Sequence, residues 1–350
     1  MRRTLALTVT GLLLGGLALA GCAGRPASSA ADPGPATAPS VHSHPVASTV
    51  TSKDPYVNLA EALHQRGVAI WYETDLVQAW LAGPTTFHQV VRRLAQLARV
   101  PGVVGFKIAD ELGYHDGIDS PEQGLAFLSA AHQALQKVAP QAQVLIDVVV
   151  PDLGCLPWLD DAGQTCAAQA RAATPAATTT ALTRYLQTGW IDRLDLSTSL
   201  LDESSYANRG LTLDDAQREA WAEVGKLGWG SLTMLQARKA LAEPGGFQGS
   251  SSEAAADVQT YVQIPAEAGA SAVDIWTWRQ PYDGATVSLL PPSLEPNPLW
   301  KDLARLPGGS PALLTHMTPS QMPASGAALA HECDLVASVF SGVFVAAGTG

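Results

Sequence analysis

Charge is scarce in this chain. Only 15% of its 350 residues are Asp, Glu, Lys or Arg, below the usual quarter. With 47% hydrophobic residues, that composition excludes disorder for most of the length and allows one or two domains. Basic residues are scarcer than acidic ones, 21 against 32, for a net charge of −11. That balance excludes the basic surface that nucleic acid or an anionic lipid face would need. Cysteine occurs four times, with no C-x-x-C motif and no Cys/His ligand spacing, so no metal site is expected and no cofactor is implied. No Gly-rich phosphate loop follows any strand-like segment, which speaks against a doubly wound open sheet. No solenoid repeat is present.

What is present begins at the N-terminus. Arg2 and Arg3 precede the apolar run LALTVTGLLLGGLALAG, which ends at Cys22. The run is shorter than the ~20 residues of a spanning helix and has the make-up of an export signal. Leu19, Ala20, Gly21 and Cys22 resemble the lipobox of bacterial lipoproteins. That resemblance implies cleavage before Cys22, a lipid on its sulfur, and a protein tethered to the cell membrane on the extracytoplasmic side. Residues 23–54, rich in Ala, Pro, Ser and Thr, have the composition of a flexible stalk. His42 and His44 form an H-x-H pair, but PGPATAPS before them offers no strand to carry a metal site, so they belong to the stalk. In an oxidising compartment Cys155 and Cys166 are the natural disulfide pair, closing a short loop, and Cys333 is left free and buried.

From residue 55 helical and strand-like segments alternate. The strand-like ones are VAIWYE, VVGFKIADE, QVLIDVVV, IDRLDLST, SLTMLQ and AVDIWTW. This order predicts an α/β fold with right-handed crossovers and a parallel sheet, in the form of a (β/α)8 TIM-type barrel over residues 55–306. Six strands fall short of eight. The tail, 307–350, holds two further candidates, PALLTHM and SGVFVAAGTG. The barrel is therefore either incomplete or closed by C-terminal strands.

Side chains alternate in a strand, and in a barrel the helix-facing set must be apolar. That test sends Trp71, Glu73, Lys107, Glu111, Arg193, Asp195, Asp274, Trp276 and Trp278 into the lumen. Asp147 is the one charge in its strand, and Gln236 is placed at a strand end by position alone. An ordinary barrel lumen is layered with aliphatic residues, and buried ions cost several kcal/mol each unless paired. Lys107 and Arg193 could neutralise two of the carboxylates. The acids lie at C-terminal strand ends, where barrel active sites are found. His115 and Asp116, in the loop beyond, could contact a substrate or simply lie on the surface.

The segment PGVVGFKIADEL resembles the fourth strand of glycoside-hydrolase barrels, and GASAVDIWTW resembles their eighth. The resemblance covers about residues 55–306. It implies Glu111 as acid/base with Asp110 beside it, and Asp195, Asp274 or Glu73 as second carboxylate. Trp71, Glu73, Lys107, Asp147, Gln236, Trp276, Trp278 and Arg279 would contact a carbohydrate ligand. One departure stands out, because Gln236 occupies the place of the nucleophilic Glu of retaining enzymes, and glycoside cleavage needs two carboxylates. The sequence therefore predicts a glycoside-hydrolase-like protein or a non-catalytic carbohydrate-binding relative. A metal-dependent hydrolase is disfavoured by the scarcity of strand-end histidine.

Overall fold

Short β-branched and aliphatic runs alternate with Ala- and Leu-rich helices, and the outcome is a closed barrel. The computed structural model describes residues 54–237, 241–306, 311–324 and 326–346. Cys22, His42 and His44 lie outside the described residues, and so does the stalk up to residue 53. The eight barrel strands are β1 (Ala69–Glu73), β2 (Val103–Lys107), β3 (Gln143–Val149), β4 (Arg193–Ser197), β5 (Thr233–Ala237), β6 (Ala272–Tyr282), β7 (Ala312–Met317) and β8 (Gly342–Ala346). Each pairs in parallel with the next, and β8 pairs with β1 to close the ring.

Closure by the C-terminal segment corrects the strand count. VAIWYE is the first strand, the strand before the D-E pair is the second and not the fourth, and AVDIWTW is the sixth and not the eighth. The last two strands come from beyond residue 306. They are needed because six strands leave the edges of β1 and β6 open, and an open edge exposes a row of backbone donors and acceptors.

The helices are stopped and started by local chemistry. Asp54, Ser120 and Asn297 each accept a backbone N–H ahead of a proline in the first turn, the arrangement that suits a helix start. Thr212 with Asp215, and Ser250 with Glu253, form reciprocal capping boxes. The helix Asp161–Ala173 occupies what reads as a cysteine-bearing loop, and the Cys155–Cys166 disulfide ties it to the end of β3's connection with a Cα–Cα distance of 5.5 Å. Cys333 is free and buried. Beyond Trp278, β6 runs on to Tyr282, turns at Asp283-Gly284 and returns as a short strand, Ala285–Ser288. Both turn residues have positive φ, 47° and 73°, as a two-residue hairpin demands.

Two apolar zones result. The larger lies between strands and helices and includes Phe106, Ile146, Leu194, Val273 and Val343. The smaller fills the lower lumen with Trp71, Leu145, Met234, Ala272, Leu314 and Phe344. Gly105 makes room for it: a Cβ there would come within 2.6 Å of the Trp71 ring and 2.3 Å of the Gln143 carbonyl oxygen.

Candidate active site

One step up the strands from that apolar floor, the lumen changes character. Two residues past Trp71 comes Glu73, past Leu145 Asp147, past Met234 Gln236, past Ala272 Asp274, and past Leu314 His316. Strand alternation puts both members of each pair on the inner face. Lys107 and Asp195 join from β2 and β4. Register holds them level: Glu73 is opposite Lys107, Asp147 opposite Asp195, and Gln236 opposite Asp274.

Lys107 is wholly buried. Its ammonium stands 2.9 Å from Asp147 Oδ2, 3.5 Å from Glu73 Oε1, 3.6 Å from Asp195 Oδ2 and 3.8 Å from Asp110 Oδ1. It also sits 5.4 Å above the centre of the Phe344 ring. Gln236 Nε2 donates to Asp147 Oδ2 at 2.8 Å. On the other side, His316 is held between two carboxylates, Nδ1 at 2.7 Å from Glu73 Oε2 and Nε2 at 2.6 Å from Asp274 Oδ2. The strand carrying it is pinned by Thr277 Oγ1, which donates to the His316 carbonyl. Asp195 and Asp274 face one another within hydrogen-bonding reach. Glu73, with 16% of its side chain accessible, and Asp110, with 43%, connect the buried groups to solvent.

Burial and mutual charge push these groups apart. Burial would lower the Lys107 ammonium, but Asp147, Glu73, Asp110 and Asp195 hold it well above its ordinary value. Burial would also lower His316, yet Asp274 and Glu73 raise it to about 9. Burial, Asp274 and Asp147 together drive Asp195 well above the carboxylate range. Asp274 and Glu73 go the other way: desolvation alone would raise both, but His316 and Lys107 keep them low. Two neighbouring acids with opposite shifts, Asp195 and Asp274, are the pattern of one proton held by a pair.

The lumenal expectations divide cleanly. Glu73, Lys107, Asp147, Asp195, Gln236 and Asp274 are gathered in one layer, and Trp71 lies beneath them in the floor. Trp276 is buried and edge-on to Tyr282, with Nε1 donating to Gln280. Trp278 is not in the lumen. Between Ile275 and Arg279 the pairing with β7 slips, the alternation is reset, and Trp278 packs on Trp300 while Nε1 donates to Glu332 on the helix side. Arg279 pairs with the same Glu332 at 3.1 Å and does not join the cluster. Arg193 does not neutralise the mouth acids, because it lies at the N-terminal end of β4 and donates to the Asp192 carbonyl. Glu111 lies four residues past the end of β2 with φ 57°. That positive φ lies outside the extended backbone on which the alternation rests, and Asp110 reaches Lys107 at 3.8 Å.

His316 is the group that sequence reasoning missed. Its signal was available: PALLTHM places it two residues after Leu314 on a strand end, and the alternation test applied to four of the other strands would have turned it inward. Together with Asp195 and Asp274 it offers three buried donor atoms that all lie within 4.8 Å of one another.

No protein-family model matches the sequence, and no curated protein matches it. Among solved structures, the chain is similar to a 2,3-dimethylmalate lyase of the PEP mutase/isocitrate lyase superfamily at 13% identity and a TM-score of 0.37, covering 83% of this chain and 80% of that one. It is also similar to a variant of Rhizobium etli pyruvate carboxylase at 13% identity and a TM-score of 0.40, covering 84% of this chain and 23% of that one. This chain thus spans about a quarter of the length of the carboxylase. At these values the likeness says nothing of this chain's chemistry, but neither structure is a glycosidase. The strand register that carried the glycoside-hydrolase resemblance fails as well, since its fourth and eighth strands are the second and sixth here. The expectation of glycoside hydrolysis is withdrawn.

Proposed function

We propose that this chain is an enzyme whose active site is the charged layer at the C-terminal mouth of the barrel, and that it moves protons on a small polar substrate. One observation carries the reading: six of the eight strands, β1 to β4, β6 and β7, deliver an ionisable side chain to one buried layer. Burying ions costs several kcal/mol each before pairing, and the floor two residues below fills the same lumen without any. A barrel selected for stability alone would continue the floor upward. The line Glu73–His316–Asp274 links a carboxylate that reaches solvent to one that does not, which suits passage of a proton to a reacting atom beside Asp274. Lys107 is a positioning residue, holding Asp147 and Glu73 in place.

The test is deuterium incorporation from D2O into a panel of small carbonyl, hydroxy and amino compounds, followed by proton NMR. Wild type labels at least one of them, and Asp274→Asn slows that labelling by about 100-fold or more. If wild type labels none, or Asp274→Asn labels as fast, the reading fails and the layer is an ion-pair network that fills the lumen, as the four pairings of Lys107 would then suggest.

We further infer that the protein is held outside the cytoplasmic membrane by a lipid on Cys22. The support is the Arg2-Arg3 leader and the Leu19–Cys22 sequence, and a disulfide fits an oxidising compartment. Cys22→Ser should move the protein from the detergent phase to the aqueous phase on phase partition. Unchanged partition would refute the anchor.

A further inference from the structure

The contact between Asp195 and Asp274 asks for something positive. Asp195 is fully buried, and among the described residues neither of its oxygens meets a hydrogen-bond donor. Lys107 Nζ stands 3.6 Å off, beyond that reach. Asp274 Oδ1 is buried without a donor too. Carboxylates cannot donate to one another, so either a proton or a cation must lie between them.

From the geometry we infer that Asp195, Asp274 and His316 form a divalent metal site, the reacting centre of the acid–base site proposed above. The inference rests on that reading for its place in the mechanism, and on three observations of its own. First, the three donor atoms lie within 4.8 Å of one another and come from β4, β6 and β7. An ion bonded at about 2.1 Å keeps neighbouring donors about 3.0 Å apart in octahedral and about 3.4 Å apart in tetrahedral geometry, so the 2.6 Å His316–Asp274 contact opens by roughly 0.4 to 0.8 Å to admit it. Second, the far nitrogen of His316 is already held by Glu73 at 2.7 Å. A carboxylate behind the imidazole fixes its tautomer and turns Nε2 inward as a ligand, the usual support of a metal-bound histidine. Third, both oxygens of the fully buried Asp195 and Oδ1 of Asp274 lack a hydrogen-bond partner among the described residues, so they have coordination capacity that nothing else in the layer takes up.

The donor set narrows the ion. Two carboxylates and one imidazole with no thiolate suit Mn2+, Fe2+ or Zn2+ and do not suit soft ions such as Cu+. A mononuclear site with three protein ligands leaves positions open for water or substrate. A metal there would polarise a substrate oxygen, with Glu73 acting on it through His316 and Lys107 acting through Asp195, 3.6 Å away.

The test is calorimetric titration of Mn2+ and of Zn2+ into the chelator-treated full-length protein, alongside X-ray absorption of the Zn2+-loaded wild type. One equivalent should bind, with a first shell of one imidazole and oxygen donors. Asp274→Asn should abolish that binding, and Glu73→Gln, a change behind the ligand, should weaken it by about 10- to 100-fold. Absence of stoichiometric binding overturns the inference, and so does a bound ion whose shell lacks imidazole. The wild-type absorption spectrum decides the matter even if the variants fail to fold. The two readings fail separately. Deuterium exchange without metal binding leaves a shared-proton pair and removes the metal. Stoichiometric binding without exchange keeps the metal and removes the proposed proton transfer.

Discussion

Positions 71, 145, 234, 272 and 314 and positions 73, 147, 236, 274 and 316 face the same lumen from the same strands, one pleat apart. The lower set is Trp, Leu, Met, Ala and Leu, closed by Phe344. The upper set is Glu, Asp, Gln, Asp and His, joined by Lys107 and Asp195. Both are dry. Burial of the floor removes apolar surface from water, about 1.5–3 kcal/mol for each large side chain. Burial of the upper layer is opposed by desolvation, offset by the ion pairs of Lys107 and the two carboxylates that hold His316. The difference teaches where to look for chemistry: a layer that opposes folding, beside one that drives it, is not filler.

Breaking the upper layer at its centre should have the largest effect. Lys107→Met keeps the length of the side chain but strips the ammonium from Asp147, Glu73 and Asp195. It should cost about 4 kcal/mol in denaturant unfolding, and adding Asp147→Asn should return part of that loss. A cost near that of a surface lysine would mean that the layer is solvated and the contrast false. In the floor, Leu145→Ala leaves a cavity beneath the same residues and should cost about 3 kcal/mol. It should not be rescued by any change of charge.

A smaller effect sharpens the contrast from outside the barrel. Asp116 is buried in the loop after β2 with Asp75 near it, and burial raises it to about 6. A carboxyl raised in the folded state contributes stability below its unfolded value near 3.8, and loses it as pH rises through about 6. Asp116→Asn should therefore stabilise the protein by up to about 2 kcal/mol at pH 8 and hardly at all at pH 4. Equal effects at both values would show that Asp116 acts through its hydrogen bond to the Ile118 N–H and not through its charge. Glu73 and Asp274, held low by Lys107 and His316, contrast with it.

Much of the site could be read from strand alternation, since Glu73, Lys107, Asp195 and Asp274 were all assigned to the lumen from local sequence, and the structure places them there. Alternation is a local property, set by backbone sterics within each strand, so it survives without any knowledge of neighbours. It failed at Trp278, which lies past the slip in pairing with β7, and it does not extend to Glu111, whose own positive φ lies outside the strand. The cysteine-bearing helix Asp161–Ala173 was missed because its alanines show no clear apolar stripe. The Asp283-Gly284 hairpin carried a readable turn signal.

The sequence by itself determined the alternating α/β order, the inward parity of the charged residues and the proximity of Cys155 to Cys166, because each depends on residues close along the chain. Only the tertiary structure decided that the tail closes the ring as β7 and β8. It alone brought His316 from position 316 to within hydrogen-bond distance of Glu73, 243 residues earlier. Such contacts depend on the register of strands around the barrel, and register is settled by the whole ring closing at once.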